Sequence, residues 1–446
     1  MEILKLNKED ILVLIFPLIF LFNGVIPYLL LILCCIISLS QYLKQDKILL
    51  YTLLLINSYH LFGQSIYKNN FLFISIIYFL IIILFLVEIK SLKKIPQIII
   101  PFIAFFFIRI GLGVYFNFTI KYALVETILF LSFAFFLLLF YNNQEDHDQF
   151  LKTLKKYVLY YFPYLTLISF LKGEMIDLKP YFLDEFSHFY LISIFPIILF
   201  TKASKNTKIA LTLFHLIFIF IRIKYLYISS FAFIGAGLAI LLIITTNFSR
   251  IYKYVAVICL IIISFLFIMN YASVFGKHKI DQITQTITVL KDIQSVKDLK
   301  KIPNSPKTRI IEVLNINKEL YQSGAMTVFF GKGFGSYFTD ENYSFKDFNV
   351  RLDDSAFSEI ELIKEKFMRP HNTIPYIFLK MGYSGLFFIL FIIIYVFLKI
   401  PKNDWLMYSF IPYFLILFGA GLKNFIIMGI LLGIIFNYSK NKVYES

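Results

Sequence analysis

The chain is short of cysteine, tryptophan and charge. Its three cysteines, Cys34, Cys35 and Cys259, all lie inside apolar runs. That excludes a disulfide framework and a Cys/His zinc box. Charged residues make up 16% of 446 positions against 59% hydrophobic, too little polar material to coat a soluble protein of this length. No DxD-type pair stands where it would hold a metal, and no internal repeat is evident. The first apolar run lacks a small-residue cleavage site, so it reads as a retained segment rather than a signal peptide.

What is abundant is apolar and aromatic: 54 Phe and 30 Tyr, in recurrent runs. At roughly 15–25 residues these runs match the thickness of a hydrocarbon core at about 1.5 Å per helical residue. The fold class is therefore all-α, a polytopic integral membrane protein, because backbone in lipid must bond within its own segment. Spans are expected at 11–22, 24–39, 47–63, 71–87, 95–115, 122–141, 157–171, 188–200, 209–223, 226–246, 254–270, 373–398, 405–419 and 422–438. That is about 14 transmembrane helices.

The net charge of +15 would point to nucleic acid in a soluble protein. Here the basic residues sit in short loops: Lys44/Lys47, Lys90/Lys93/Lys94, Lys152/Lys155/Lys156, Lys202/Lys205/Lys208, Arg250/Lys253, Lys399/Lys402 and Lys440/Lys442. With the proposed spans all fall on one side, which the positive-inside rule makes cytoplasmic. Both termini are then cytoplasmic and no nucleic-acid partner is expected. The chain divides into N-terminal spans (1–270), one large extracytoplasmic loop (271–372) and C-terminal spans (373–446). A polar loop of about 100 residues between compact spans is usually functional. Within it, 280–299 carries Ile283, Ile287, Leu290 and Val296 at helical spacing. Ser305 and Pro306 suit the N-cap and first position of a second helix, which Gly324 stops.

Several residues are candidates for chemistry. His371, one of six histidines, stands where this loop meets the next span. A helix-capping role is the ordinary account of His-Asn-Thr; at this boundary a neutral imidazole would also serve as a base. Arg309 is either a solvated charge or a phosphate clamp. Arg109, Arg222 and Lys224 lie in or at the outer ends of apolar runs, where they snorkel or form a basic pocket for a diphosphate. Asp184 and Glu185, with His188, precede a span and either cap it or contact substrate. The Gly331-Lys332-Gly333-Phe334-Gly335-Ser336 stretch is not a P-loop, since its spacing differs and no strand precedes it; a tight turn is the better account.

Three of these stretches together resemble a known family. Thr308-Arg309-Ile310-Ile311 opens a helix, Phe330-Gly331-Lys332-Gly333-Phe334-Gly335-Ser336 follows, and His371-Asn372 precedes Gly382-Tyr383-Ser384-Gly385-Leu386. In order and spacing they resemble the O-antigen polymerase and O-antigen ligase superfamily of membrane glycosyltransferases. The family also opens the span near position 226 with a Ser-Arg pair. This chain has Ile228-Ser229-Ser230 there, and Arg222 and Lys224 are the nearest basic residues. The resemblance implies a metal-independent enzyme without cofactor in the bacterial cytoplasmic membrane. Its donor and acceptor would be undecaprenyl-diphosphate-linked glycans, presented in membrane lipid beside a chain-length regulator and a flippase. His371 would be the base and Arg309 the diphosphate stabiliser, with Arg222, Arg109 and Lys224 binding the diphosphate and Asn372, Asp184 and Glu185 contacting substrate. Polymerisation of repeat units is the favoured reaction. Ligation to lipid A core, a lipid-linked glycan flippase or transporter, and a non-catalytic scaffold remain alternatives.

Overall fold

The computed structural model describes residues 100–116, 119–142, 155–161, 163–164, 166–167, 184–225, 230–245, 250–272, 274–352, 357, 359–400, 405–420, 429 and 431–436, with isolated positions 36, 83 and 86. The spans expected at 11–22, 24–39, 47–63, 71–87 and 422–438 lie wholly or mostly outside these residues, as do the last four positions of 157–171.

The described chain is mostly helical. In the apolar part the helices are α1 (Ile100–Tyr115), α2 (Ile120–Asn142), α3 (Asp184–Phe200), α4 (Lys205–Tyr225), α5 (Ser230–Thr245) and α6 (Arg250–Ala272). The polar insert supplies α7 (Val274–Lys291), α8 (Asn304–Gln322), α9 (Ala325–Phe330), strand β1 (Phe338–Thr339), α10 (Glu359–Lys364) and strand β2 (Lys366–Phe367). Two apolar helices follow the insert, α11 (Thr373–Lys399) and α12 (Trp405–Ala420).

Among the described residues two helices are long and apolar enough to cross a membrane, Lys205–Ile223 and Thr373–Leu398. Only 22% and 28% of their apolar 18-residue windows are buried. Shorter apolar helices run over Phe189–Phe200, Ala232–Thr245, Lys253–Met269 and Trp405–Ile416. On α6, Ile258, Ile261, Phe265 and Ile268 are each more than half exposed. In water these would form an apolar patch of the kind soluble monomers avoid.

Among the described residues there are two cores. The first joins α3, α5, α6 and α12 through residues such as Tyr190, Ile194, Ala236, Ile240 and Tyr413, with Phe135, Phe136 and Leu139 of α2. The second belongs to the insert: Leu299, Ile302, Ile311, Ile316, Leu320, Phe338, Phe345, Phe357 and Phe367, joined by Leu379 of α11. The insert is thus a folded unit seated on the first half of α11. A two-stranded antiparallel sheet closes it, with Phe338 opposite Phe367 and Thr339 opposite Lys366.

Local details depart from expectation. The amphipathic stretch over 280–299 divides into α7 and a 3-10 segment, Val296–Lys301, whose start is boxed by Ser295 and Asp298. Helix α8 begins at Asn304 with Pro303 as N-cap, so Ser305 is not the cap and Pro306 is its third helical residue. The reason is that the Asn304 side chain clamps the Arg351 backbone in both directions, at 2.8 and 2.9 Å. Pro306 costs nothing there, because the first N–H groups of a helix have no intrahelical acceptor. The expected stop after α8 is present: Gly324 takes φ +100°.

Candidate functional site

His371 does not cap α11. Its ring Nδ1 lies 2.5 Å from Glu312 Oε1, and its backbone N–H donates to Glu312 Oε2 at 3.0 Å. Glu312 projects from α8 and is fully buried, while the imidazole is a quarter exposed. A carboxylate that only accepts takes a proton held on Nδ1, and in that tautomer of a neutral ring Nε2 is the acceptor. The Phe357 ring meets the imidazole edge-on at 5.1 Å between centroids. Strand β2 delivers the segment, and buried Glu361 accepts from the Met368 N–H at 2.8 Å. The imidazole is therefore fixed from several directions. Asn372 takes the N-cap position of α11 without a side-chain capping bond.

Arg309 stands three residues before Glu312 on α8. That spacing puts the two on one face, with Cβ atoms about 5–6 Å apart. Its Nε is buried and makes no hydrogen bond among the described residues. The same helix thus carries the guanidinium and the carboxylate that holds the imidazole.

The glycine stretch is a structural turn. Its amides are consumed inside the protein: Lys332 N donates to Leu379 O (2.7 Å), Gly333 N to Lys380 O (3.0 Å) and Phe334 N to Arg109 O (2.9 Å). Gly335 N donates to Glu126 Oε2 at 2.6 Å. The N–H groups of residues 331–335 are thereby taken and do not cradle a phosphate. The glycines instead permit interlock. Gly331 (φ +72°) and Gly382 (φ +57°) meet backbone to backbone, and Gly382 kinks α11. A Cβ on Gly113 would lie 1.6 Å from Phe334 O.

Arg109 is buried and already engaged. One Nη donates to Phe330 O at the end of α9, the other to Ser384 Oγ at 2.7 Å. Its guanidinium also lies 4.2 Å from the Phe105 ring centroid. The expected diphosphate ligand therefore sits as a tie between α1, α9 and α11.

Behind the turn lies an ion pair unforeseen in the sequence. Glu126 of α2 and Lys380 of α11, both with fully buried side chains, stand 2.9 Å apart. Tyr376 OH donates to Glu126 Oε1 at 3.0 Å, and Lys380 Nζ donates to Ser336 O at 2.5 Å. Arg369 and Glu361 lie within electrostatic reach of Lys380. A second buried pair, Lys332 with Glu319 of α8, pins the turn to the insert. Glu319 also accepts from Thr339 N and Oγ1, at 2.6 and 2.9 Å.

No family model, curated protein or solved structure matches the chain. The site's meaning therefore rests on its geometry.

The remaining candidates lie on α3 and α4. Arg222 is buried 1% exposed and within electrostatic reach of Tyr190, whose hydroxyl is 2.5 Å from His215 Nδ1. Lys224 occupies the last turn of α4, and Asp184 and Glu185 form the first turn of α3 rather than a loop; their side chains lie outside what is described. His371 bonds to Glu312, and Arg309 lies one helical turn before Glu312 on the same helix. Among those residues no group of three or more His, Cys, Asp or Glu is placed to hold a metal ion.

Sequence reasoning missed Glu312, Glu126 and Lys380. Signals for them exist. Arg309-x-x-Glu312 places a carboxylate one helical turn from the arginine. Glu126 and Lys380 are charges inside apolar runs, where charge is costly enough to imply a partner.

Proposed function

We propose that the chain is a membrane glycosyltransferase that polymerises undecaprenyl-diphosphate-linked repeat units into a surface polysaccharide. In this reading about 14 helices cross the cytoplasmic membrane. The insert faces outward and both termini face the cytoplasm, as the charge of the short loops requires. His371 Nε2 takes the proton from an acceptor hydroxyl while Glu312 holds the imidazole. The hydroxyl oxygen attacks the anomeric carbon of the donor, and the bond from that carbon to the diphosphate oxygen breaks. The departing diphosphate carries the electron pair, and Arg309 stabilises its charge, with Arg222 as the second cation.

One observation supports this above the rest: a buried carboxylate one helical turn from an arginine holds a quarter-exposed histidine. A helix cap would need neither the carboxylate nor the burial. The resemblance of Thr308-Arg309, the glycine stretch and His371-Asn372 to the O-antigen polymerase superfamily points the same way. His371→Ala should leave the protein in the membrane and abolish long glycan chains, leaving single repeats on the lipid A core. Normal ladders from this variant would remove His371 from the reaction. Unattached polymer remaining on the carrier would assign ligation instead.

A further inference from the structure

A cavity of about 340 Å³ opens at one end of the helical bundle, far from His371. It lies where α3 ends, α4 begins and α5 ends. Phe200, the last residue of α3, stacks on Tyr408 at 5.3 Å. Tyr408 is in the first turn of α12, which follows the far end of α11. His371 precedes the opposite end of α11, a 27-residue helix. At about 1.5 Å per residue such a helix spans about 40 Å.

The lining divides by chemistry. Leu199, Phe200 and Ile243 are apolar, Thr201, Lys202 and Lys208 are polar, and among the described residues no carboxylate contributes. Lys208 Nζ donates to Leu199 O at 2.7 Å, which anchors its charge at the cavity wall. Lys202 is exposed at the rim. The stretch 201–212 contains Lys202, Lys205 and Lys208 and no acidic residue. One of the two helices able to cross a membrane starts here, at Lys205. From Ile209 an exposed apolar stripe continues through Leu213, Ile217 and Phe220 along α4.

We infer that this cavity binds an anionic phosphate group, presented by an acidic glycerophospholipid whose acyl chain follows the α4 stripe. An ammonium is a compact point charge suited to phosphate oxygens, and basic pockets between membrane helices take anionic headgroups. The volume suits a small headgroup. The apolar wall explains why the phosphate comes with a chain attached. The site is independent of the glycan-transfer reading, being at the other end of α11 and sharing no residue with it.

Native mass spectrometry of the whole protein in neutral detergent tests the inference, with phosphatidylglycerol, phosphatidylcholine and inorganic phosphate as probes. Phosphatidylglycerol should remain as a one-to-one adduct after phosphatidylcholine is stripped. Lys202→Glu reverses charge at the rim without removing a recorded hydrogen bond, and should weaken retention about tenfold, the effect of about 1.4 kcal/mol. Lys277→Glu, exposed on α7, should leave retention unchanged. Lys208→Gln is a second variant, read only where its melting temperature stays near wild type. Displacement by millimolar inorganic phosphate would identify the free anion as the source of the phosphate, and resistance would identify the lipid. Equal retention of both lipids, or full retention by Lys202→Glu, overturns the site.

Discussion

Replacing Glu312 with glutamine removes one charge and almost no volume. The carboxylate accepts two N–H bonds from one residue, the His371 backbone at 3.0 Å and the ring Nδ1 at 2.5 Å. An amide has one oxygen, so its NH2 must face one of these donors. The side chain is wholly buried, and no water restores the lost bond cheaply. A hydrogen bond to a charged group is worth about 1.5–3 kcal/mol. If that energy is what holds the imidazole in its reactive orientation, turnover should fall roughly 10- to 150-fold. On the proposed reading Glu312 acts through His371, so the fall should appear in kcat with KM little changed. Glu312→Asp keeps two accepting oxygens on a shorter arm and should lose less than Glu312→Gln. The assay is the initial rate of repeat-unit addition by purified protein given a synthetic lipid-diphosphate donor, with melting temperature as the control for folding. A Glu312→Gln enzyme turning over at the wild-type rate, beside an inactive His371→Ala, would refute the positioning role.

Three further outcomes concern the scaffold. Gly382→Ala places a Cβ at φ +57° and 2.5 Å from Val328 O, so melting temperature and membrane yield should drop, by at least the 1–3 kcal/mol typical of a strained backbone position; Gly111→Ala, with nothing within 4 Å, is the control expected to be neutral. Glu126→Ala leaves the Lys380 ammonium buried without its carboxylate and should cost about 3–5 kcal/mol, whereas pairing Glu126→Leu with Lys380→Met should recover much of it; a single variant as stable as wild type would show the pair to be dispensable. The Asp298 carboxyl is held down to about 2 from an ordinary 3.8, first by its bond to Lys301 and then by the N–H groups of Ser295 and Gln294. A depressed acid stabilises above its unfolded pKa, so this contribution should be whole above about pH 4 and vanish as pH falls through about 2. The protection factors against hydrogen exchange at Ser295 and Gln294 should fall over that window in the wild type and be insensitive to it in Asp298→Asn.

The helices of the apolar part were legible because their signal is local. A run such as 373–398 needs only length and hydropathy to be read as a span, and its helix occupies Thr373–Lys399. His371, Arg309 and the end of α8 at Gly324 were legible for the same reason: rarity, charge and turn chemistry show in one stretch. The partners were not. Glu312 is 59 residues from His371, and Glu126 is 254 from Lys380. An ordinary helical glutamate looks the same whether it faces water or an imidazole.

By itself, then, the sequence determined the apolar helical character of the chain, the place of the polar insert and the two residue types suited to moving a proton and holding a diphosphate. Tertiary structure decided which charges meet. It turned Arg109 from a free cation into a tie between α1, α9 and α11, spent the glycine amides on neighbouring backbone, and placed Glu312 beneath His371. The physical reason is that hydropathy acts along the chain over a helical turn or a bilayer thickness. Hydrogen bonds and ion pairs act over about 3 Å in space, and only the closed fold brings distant residues that near.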